Sequence, residues 1–448
     1  MTISGRQFIV SVISMIVPLF LFVHYAIAEG EKHRVYTLEE SVSEALENNW
    51  AVKAKQEKIQ ESEFVKEQAR VSFYPTLSTT YGYTRLNEVS RSAPQTIGPI
   101  TMPGRDLNAQ NNYQWKATIN QPLFTGFALQ SSYELSKLGI DLSKVSLELE
   151  KLDLALKVKD AYFNILGADK AVAVAGSAVE SLESHLKVAR NFYEVGMIPV
   201  NDLLKAEVEL ANAQHNLIKA QNASQLARVA FNMHLSRPVD SNVDVVDILE
   251  YEPEFPDFDQ YLDRAQNNRP ELKSIDINSV QIDQQIILAK SKYYPEAAFT
   301  FNYVKEGNQP DVSGSPFHDS NSWQAMVGLS WTVWNWGKTS YSVREYESKK
   351  RQLIQTRKTV EDGIRLELRK AILDLDEATK NIPTTKKAVE QAEENLRVSE
   401  ERYKAQVTTS TEVLDAQTLL SQARMNYYDA LYGHKLAKAA LMRAVGEY

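Results

Sequence analysis

The sequence predicts a mainly α-helical chain with a small transmembrane β part. Long coiled-coil helices would form a tunnel wall, and four strands per chain would contribute to a β-barrel. Three observations predict this fold class: an internal duplication, one very long helical run in each half, and two short segments of alternating apolar and polar residues in each half.

The duplication keeps a constant register over long distances. The motif Ser-Phe-Tyr-Pro at 72–75 recurs as Lys-Tyr-Tyr-Pro at 292–295, so that the two prolines are 220 positions apart. The segment 191–206 corresponds to 401–416 at an offset of 210. Chance similarity between helices rarely keeps one register for so long, and we therefore interpret the chain as two structural repeats.

Each repeat is predicted to contain a helix, a β-hairpin, a very long helix and a returning helix. The first helices are expected from about Leu38 to Ser72 and from Phe258 to Lys292. The complete organisation is a signal peptide at 1–28, a first repeat at 29–237 with a hairpin at about 76–124, a linker rich in Asp and Pro at 238–257, and a second repeat at 258–448 with a hairpin at about 296–334.

The first residues have the pattern of an export signal. Arg6 is the only charge before the apolar run Phe8–Val23, and Ala26-Ile27-Ala28 has the small-x-small form of a cleavage site. The alternative is an uncleaved anchor, which Pro18 and the short run disfavour. Beyond this segment no apolar stretch is long enough for a spanning helix. The chain is therefore predicted to be exported, and if it enters a membrane it must do so as strands.

The long helices carry the pattern of a coiled coil. No proline occurs between Ala128 and Val195, and the second long helix, about Lys338 to Lys404, contains Pro383, which should bend it. One apolar row of the first long helix follows four-and-three spacing: Leu138, Leu142, Val145, Leu149, Leu152 and Leu156. A second row repeats every seven residues: Ile140, Leu147, Leu154 and Ala161. Two seams predict neighbours on both sides, as in a tube wall.

The predicted strands alternate apolar and polar residues, as transmembrane barrel strands do. Their apolar sets are Leu77, Thr79, Tyr81 and Tyr83; Tyr113, Trp115, Ala117 and Ile119; Phe299, Phe301 and Tyr303; and Trp323, Ala325, Val327, Leu329 and Trp331. A soluble sheet with one buried face is the alternative. Two matched hairpins in an exported chain favour the barrel, and the connections 91–107 and 306–320 have the composition of external loops.

Four strands cannot close a barrel, and open sheet edges are not tolerated in lipid. Two chains would give eight strands, whose interior side chains fill. Three chains would give twelve, the smallest multiple expected to leave a lumen, although this argument leaves four chains open. A homotrimer is therefore the simplest assembly that closes and conducts.

Composition excludes several other classes of protein. The net charge of −8 and the absence of a basic cluster argue against nucleic-acid binding, and the absence of cysteine excludes thiolate metal sites and thiol catalysis. The seven histidines include no His-x-x-x-His pair, and no nucleophile elbow or phosphate loop occurs. His185 and His215 are interpreted as wall or surface residues. We expect no enzyme and no cofactor.

Several motifs are similar to those of the outer-membrane efflux protein family of TolC-like channels. The most specific are Phe-Tyr-Glu-Val-Gly at 192–196 leading to Asn-Asp-Leu-Leu-Lys-Ala at 201–206, and Thr-Glu-Val-Leu-Asp-Ala at 411–416. The segment 120–126 resembles the family's strand-to-helix junction, and 330–337 is a looser copy. The resemblance implies a twelve-stranded trimeric barrel in the cell outer membrane, continued by a helical tunnel through the periplasm. It also implies docking to a periplasmic adaptor (membrane fusion protein) and an inner-membrane pump.

The resemblance further implies a gate at the turns between the long and returning helices. The matching positions are Asp202, Tyr403, Glu412 and Asp415. Glu412 and Asp415 would form two stacked carboxylate rings that favour cations, and Tyr403 would hold the closed state through a hydrogen bond to Asp202. The first alternative is that Glu412 forms a capping box with Thr409, and the second is that Asp202 stabilises a helix start.

The position at which the family's best-known member carries a gate arginine is Thr408 here. We therefore hypothesise that the closed state is held by fewer ion pairs. Measuring the ion current that leaks through closed channels would test this hypothesis. The alternative function is a periplasmic coiled-coil adaptor or scaffold without a barrel, which has no reason to carry two aromatic hairpins. Efflux and type I protein secretion remain equally compatible with the sequence.

Overall fold

The computed structural model describes residues 34–248, 252–253 and 256–448; the predicted signal peptide at 1–28 lies outside them. The helices are α1 Leu38–Asn48, α2 Trp50–Val71, α3 Ala128–Glu194, α4 Val200–His234, α5 Phe258–Asn268, α6 Pro270–Lys290, α7 Lys338–Lys404 and α8 Ser410–Val445. The strands are β1 Arg34–Tyr36, β2 Thr76–Arg85, β3 Gln95–Ile97, β4 Ile100–Met102, β5 Asn111–Phe124, β6 Val243–Val245, β7 Glu296–Gly307 and β8 Asn321–Ser330.

The first helix of each repeat is divided in two, so the prediction of continuous helices was wrong. Asn49 has an extended backbone between α1 and α2, and its side chain accepts a 2.8 Å hydrogen bond from the N–H of Ala51. Arg269 has the same conformation between α5 and α6, immediately before Pro270. The proline ring disfavours a helical residue before it and fits the first position of a helix.

The two long helices contain 67 residues each and are about 100 Å long at 1.5 Å per residue. Helix α7 continues through Pro383, and the bend there stays a prediction. Helix α3 packs against α2 and α6 near its beginning, and against α4 and α8 towards its end. Among the described residues, no helix is both long and apolar enough to cross a membrane.

Four strands form one antiparallel sheet in the order β2-β5-β7-β8. Leu77 is opposite Ile119, and Ile119 is opposite Phe301, which is in turn opposite Ala325. Directly opposed residues of an antiparallel pair project from the same face, so the register gathers the predicted apolar sets on one face. The predicted alternation is therefore confirmed.

The two faces of this sheet differ in chemistry. On the apolar face the rings of Tyr83 and Tyr113 stack with centroids 4.7 Å apart. On the other face the hydroxyl of Thr118 donates a 2.8 Å hydrogen bond to Asn302. The sequence did not predict the short hairpin β3–β4, which lies in the connection between β2 and β5.

A small parallel pair, β1–β6, lies beside the middle of the long helices. Strand β6 lies inside the stretch interpreted as a linker, so part of that stretch is structured. The hydroxyl of Tyr162 on α3 donates to the carbonyl oxygens of Tyr36 (3.1 Å) and Val246 (2.6 Å). This contact fixes the strand pair to the long helix and buries Tyr162 in the largest apolar cluster.

Candidate functional site at the turns of the long helices

Helix α3 ends in a glycine-containing Schellman turn. Gly196 has a positive φ of 73°, its N–H donates to the carbonyl of Tyr193 (2.9 Å), and the N–H of Met197 donates to the carbonyl of Phe192 (2.8 Å). Pro199 then precedes the first residue of α4. The chain therefore reverses direction within a few residues at the tip of the molecule.

Helix α7 ends in the same turn, displaced by 210 residues. The N–H of Gln406 donates to the carbonyl of Tyr403, and the N–H of Val407 donates to the carbonyl of Arg402, both at 2.9 Å. Gln406 occupies the left-handed position with φ of 59°, where the first turn has Gly196. A residue with a Cβ is less stable than glycine in this conformation by about 1–2 kcal/mol.

An apolar cluster joins α3, α7 and α8 behind these turns. Its buried members are Leu396, Tyr403, Val413, Ala416 and Leu420, and Val188, Phe192 and Ala392 pack against them. The cluster combines residues from both repeats. It therefore couples the position of one turn to that of the other.

Tyr403 belongs to this cluster, and its side chain is 3% exposed. Its ring packs on His185 (centroids 4.8 Å apart) and on Phe192 (5.7 Å), and its hydroxyl forms no hydrogen bond with Asp202. The expected hydrogen bond to Asp202 is therefore not formed, because the ring is held in the apolar cluster. Burial and, secondarily, the negative charge of Asp202 raise the pKa of Tyr403.

His185, interpreted from the sequence as a wall or surface residue, is a buried polar residue of the helical wall near the tip. Its Nε2 lies 2.7 Å from the hydroxyl oxygen of Ser410, the first residue of α8. Burial lowers the pKa of His185 to about 4, so the imidazole is neutral at neutral pH. The available signal was its position, because His185 lies between Leu182 and Ala189 on a buried seam. His215, in contrast, is exposed as expected.

Glu412 connects the two sides of the second turn. Its carboxylate accepts a 3.1 Å hydrogen bond from Nη1 of Arg402 and a second hydrogen bond from the hydroxyl of Thr408. Thr409 precedes α8 but makes no side-chain cap, so the capping-box alternative is wrong. The carboxylate instead ties the first turn of α8 to the last turn of α7.

Asp415 lies one helical turn further along α8 and is exposed. It lines a groove of about 430 Å³ between α4 and α8, together with Lys205 and Glu209. Nζ of Lys205 donates to the hydroxyl of Thr411 at 3.4 Å across this groove. The carboxylate of Asp415 forms no hydrogen bond or ion pair with any residue that the structure describes, and its charge is therefore available at the surface.

Asp202 lies in the first turn of α4, where a negative charge is favourable at a helix N-terminus. Its backbone N–H donates to the carbonyl of Pro199 at 3.1 Å, and no side-chain cap is formed there. The structure thus places all four expected positions at one tip without joining them in one hydrogen-bond network. Three of them, Asp202, Glu412 and Asp415, are carboxylates, which gives this tip a negative character.

A family model described as outer membrane efflux protein matches residues 41–233 and 261–447. The outer membrane protein TolC of Escherichia coli is 21% identical over 311 residues, and the aligned part covers 64% of this chain and 60% of TolC. TolC of Salmonella enteritidis is likewise matched over 60% of its length.

The structure is also similar to solved outer-membrane channels. CmeC of Campylobacter jejuni superimposes with a TM-score of 0.75 at 16% identity over 91% of this chain and 85% of that chain. The open state of MtrE from Neisseria gonorrhoeae superimposes with a TM-score of 0.72 at 18% identity over 92% of this chain and 89% of that chain. These similarities confirm the predicted fold class.

Proposed function

Because the chain belongs to the outer membrane efflux protein family, we propose that it is the outer-membrane exit duct of a tripartite efflux or type I secretion system. Three copies form the duct. An inner-membrane pump and a periplasmic adaptor deliver the substrate, which crosses the periplasm and the outer membrane through the duct. The chemical nature of the substrate is set by the pump and the adaptor, since no enclosed binding pocket is needed in an exit duct.

The observation that carries this proposal is the four-stranded sheet at the far end of the long helices. Its apolar face is exposed, and Leu329, for example, is 70% exposed. In water such a face would favour aggregation, whereas in a bilayer it is the expected outward surface of a barrel. The alternative, an adaptor or scaffold without a barrel, gives this face no role.

The edges of the sheet support a multichain assembly. In the described chain β2 pairs on one side only, with β5, and β8 pairs on one side only, with β7. Unpaired edges are unfavourable in lipid, where no water satisfies the backbone groups. Strands from further copies complete the pairing, and three copies supply twelve strands, which leave a lumen.

The tip of the long helices is the proposed periplasmic gate. Its carboxylates, Asp202, Glu412 and Asp415, are repeated by threefold symmetry and favour cations at the entrance. Tyr403 acts by packing, since its ring joins both turns through the apolar cluster. The charge of Glu412 is partly neutralised by Arg402, so Asp415 contributes the larger part of the field.

The experiment is single-channel recording from the mature protein in planar bilayers. Glu412→Gln with Asp415→Asn removes two of the carboxylates. Glu390→Gln with Glu394→Gln removes the same charge from an exposed part of α7, and Glu390 lies about 20 Å along the helix from Tyr403. We expect small, stable conductance steps with cation preference, reduced by the first pair of substitutions and unchanged by the control pair.

Two results would contradict parts of the proposal. Channels whose cation preference is unaffected by Glu412→Gln with Asp415→Asn would leave the duct in place and remove these residues from the gate. A folded protein that forms no channels and remains in the periplasmic fraction would instead favour the adaptor or scaffold function.

A further inference from the structure

A cavity of about 710 Å³ lies between two connections of the four-stranded sheet, at the end of the sheet that faces away from the helices. One wall belongs to the connection between β2 and β5 and contains Asn87, Glu88 and Gln110. The other belongs to the connection between β7 and β8 and contains Asn308 and Phe317. Sites for small molecules typically have volumes of about 300–1,000 Å³. Both walls come from one chain, so a single copy forms the cavity.

The first wall is held in shape by its own hydrogen bonds. The N–H of Leu107 donates to the carbonyl of Ser90 at 2.7 Å, and the N–H of Ser90 donates to Oδ1 of Asn108 at 2.8 Å. Nε of Arg91 donates to the carboxylate of Asp106, also at 2.8 Å. These contacts join the two ends of the connection, so this wall has a defined shape before any ligand binds.

The second wall is likewise fixed by contacts within the chain. The N–H of Asn308 donates to the carbonyl of Gly314 at 3.2 Å. A Cβ on Gly307 would lie 2.8 Å from the carbonyl oxygen of Gly314, so glycine permits this close approach. The hydroxyl of Tyr81 on β2 donates to the carbonyl of Pro310 at 2.6 Å and so connects the second wall to the strand from which the first wall begins. The two walls are therefore held relative to each other.

Four polar side chains of the cavity are available to a ligand. Asn87, Glu88, Gln110 and Asn308 form no side-chain hydrogen bond or ion pair with any residue that the structure describes. Each amide offers two donors and an acceptor in one plane, and the carboxylate offers two acceptor oxygens. A ligand that satisfies these groups must itself carry several donors and acceptors close together.

Phe317 gives the cavity one aromatic surface. Its side chain is 40% exposed, and its ring pairs with no other ring among the described residues. The N–H of Phe317 donates to the hydroxyl of Ser315 at 3.2 Å, which fixes the backbone at this position. An exposed aromatic face next to free amides favours a ligand with one flat apolar face and a polar edge.

The charge of the lining restricts the ligand further. Glu88 and Asp106 are its two carboxylates and Arg91 is its one guanidinium, which gives the lining a net charge of −1. Because Arg91 is already paired with Asp106, the carboxylate of Glu88 is the charge that a ligand meets. This charge disfavours phosphate and sulfate groups and tolerates neutral or amino groups.

A pyranose ring has this chemistry, since it carries hydroxyls on adjacent carbons around its edge and C–H groups on its faces. We propose that the cavity binds a neutral or amino-bearing saccharide, whose hydroxyls bond to Asn87, Gln110 and Asn308 and whose apolar face stacks on Phe317. This inference rests on the proposed exit duct only for its location, because such a duct exposes these connections outside the cell. The saccharide is either part of the polysaccharide of the same membrane or a free sugar from the medium.

The test is saturation-transfer NMR with glucose, galactose and N-acetylglucosamine as probes, on the assembled protein in a detergent without a sugar headgroup. We expect saturable binding of at least one probe. Asn308→Ala and Phe317→Ala should each weaken it by roughly tenfold, because each removes one contact with the ring. Gln309→Ala removes an exposed amide next to Asn308 that does not line the cavity, and Ile97→Ala removes an exposed apolar side chain of β3; both controls should bind as the wild type does.

Glu88→Gln tests the charge preference with glucosamine and glucose 6-phosphate at about pH 6.5, where an amine of this kind is largely protonated. The variant should bind glucosamine more weakly and glucose 6-phosphate more tightly than the wild type, each by roughly threefold, and should bind glucose unchanged. Equal affinities of the variant and the wild type for both charged sugars would overturn the role of Glu88 and with it the restriction to neutral and amino sugars.

The source of the saccharide is tested by competition. Polysaccharide released by mild acid from the bacterium's own lipopolysaccharide is added to protein that carries the bound probe sugar. Displacement of the probe supports the cavity as a site for the cell's own surface polysaccharide. Binding of the probe without displacement supports the cavity as a site for free sugars.

Two results would overturn the saccharide site: no saturable binding of any probe by the wild type, or the same loss of binding in the control variants as in Asn308→Ala and Phe317→Ala. Oligomeric mass and single-channel conductance are measured on the same samples. Assembled, conducting channels that bind no sugar would refute only this inference. Monomers without conductance would refute the proposed duct as well.

Discussion

Nε2 of His185 and the hydroxyl oxygen of Ser410 lie 2.7 Å apart, and this contact joins the long helix of the first repeat to the first residue of the last helix of the second repeat. The ring of Tyr403 packs on the imidazole and separates it from water. The two helical hairpins are thus connected at the tip through a neutral histidine in an apolar cluster.

We predict that the tip loses stability as the pH falls from about 6.5 towards 4. The unfolded histidine has a pKa of about 6.5, whereas burial lowers the pKa of His185 in the folded protein to about 4. Between these values the unfolded form binds more protons, so stability decreases with falling pH, by up to about 3 kcal/mol. Hydrogen exchange of the amides at 185–203, measured from pH 7 to 4, detects the opening locally.

His185→Gln is the matched variant, since glutamine can still bond to the Ser410 hydroxyl but does not titrate. In this variant, hydrogen exchange of the amides at 185–203 should depend little on pH between 7 and 4. A local measurement is required because burial also lowers the pKa of His234, which lies far from the tip. An unchanged pH dependence in His185→Gln would contradict the assignment of the effect to His185.

Gln406→Gly should stabilise the second turn by about 1 kcal/mol, because Gln406 has a positive φ that glycine adopts without strain. Gly196→Ala should destabilise the first turn by a similar amount. No atom lies within 4 Å of the added Cβ, so the cost arises from the backbone conformation. Chemical unfolding compares the two variants, and a destabilised Gln406→Gly would show that the glutamine side chain has a contact of its own.

The sequence predicted long elements well and tertiary details poorly. The pattern between Ala128 and Val195 gave the bounds of α3 within one residue, because seam periodicity and the absence of proline act locally. The break at Asn49 was missed because it depends on a hydrogen bond to the carbonyl of His234, 185 residues away. The strand Val243–Val245 was missed for the same reason, since its partner β1 is far away in the chain.

The sequence predicted that the four candidate residues lie near the turns of the long helices, but not which partners their side chains have. Helix-turn signals placed Glu412 and Asp415 correctly on the first turns of α8. The orientation of Tyr403 depends on which helix lies opposite it, and that packing was not predictable from one sequence. His185 was recognisable as a polar residue on a seam, but only the structure brings Ser410 to it.

Arg402→Gln should alter conduction more than stability. The Arg402–Glu412 pair is about half exposed on both sides, so its loss should cost less than about 1 kcal/mol. The released carboxylate of Glu412 is no longer neutralised, and we expect cation preference to increase and closed-state leak to rise. Single-channel recording beside Glu412→Gln, which should shift cation preference in the opposite direction, checks this. Equal shifts in both variants would contradict a gating role of the charge.

Arg269→Met should be the most destabilising of these substitutions. Arg269 is 4% exposed, and its guanidinium binds Glu271 and Glu367, each at 2.7 Å, as well as the carbonyl of Ala444. Methionine fills the volume but leaves two carboxylates and a carbonyl without this partner, which typically costs about 3–5 kcal/mol.

The matched control for Arg269→Met is Arg264→Met, which breaks a more exposed pair with Glu447 and should cost about 1 kcal/mol or less. Arg443 also binds Glu367, at 2.6 Å, and therefore still compensates part of its charge when Arg269 is replaced. Adding Glu367→Gln to Arg269→Met should therefore recover only part of the loss. Urea unfolding at neutral pH measures all three variants. A similar cost for Arg269→Met and Arg264→Met would show that burial of the Arg269 network adds nothing to the stability of the fold.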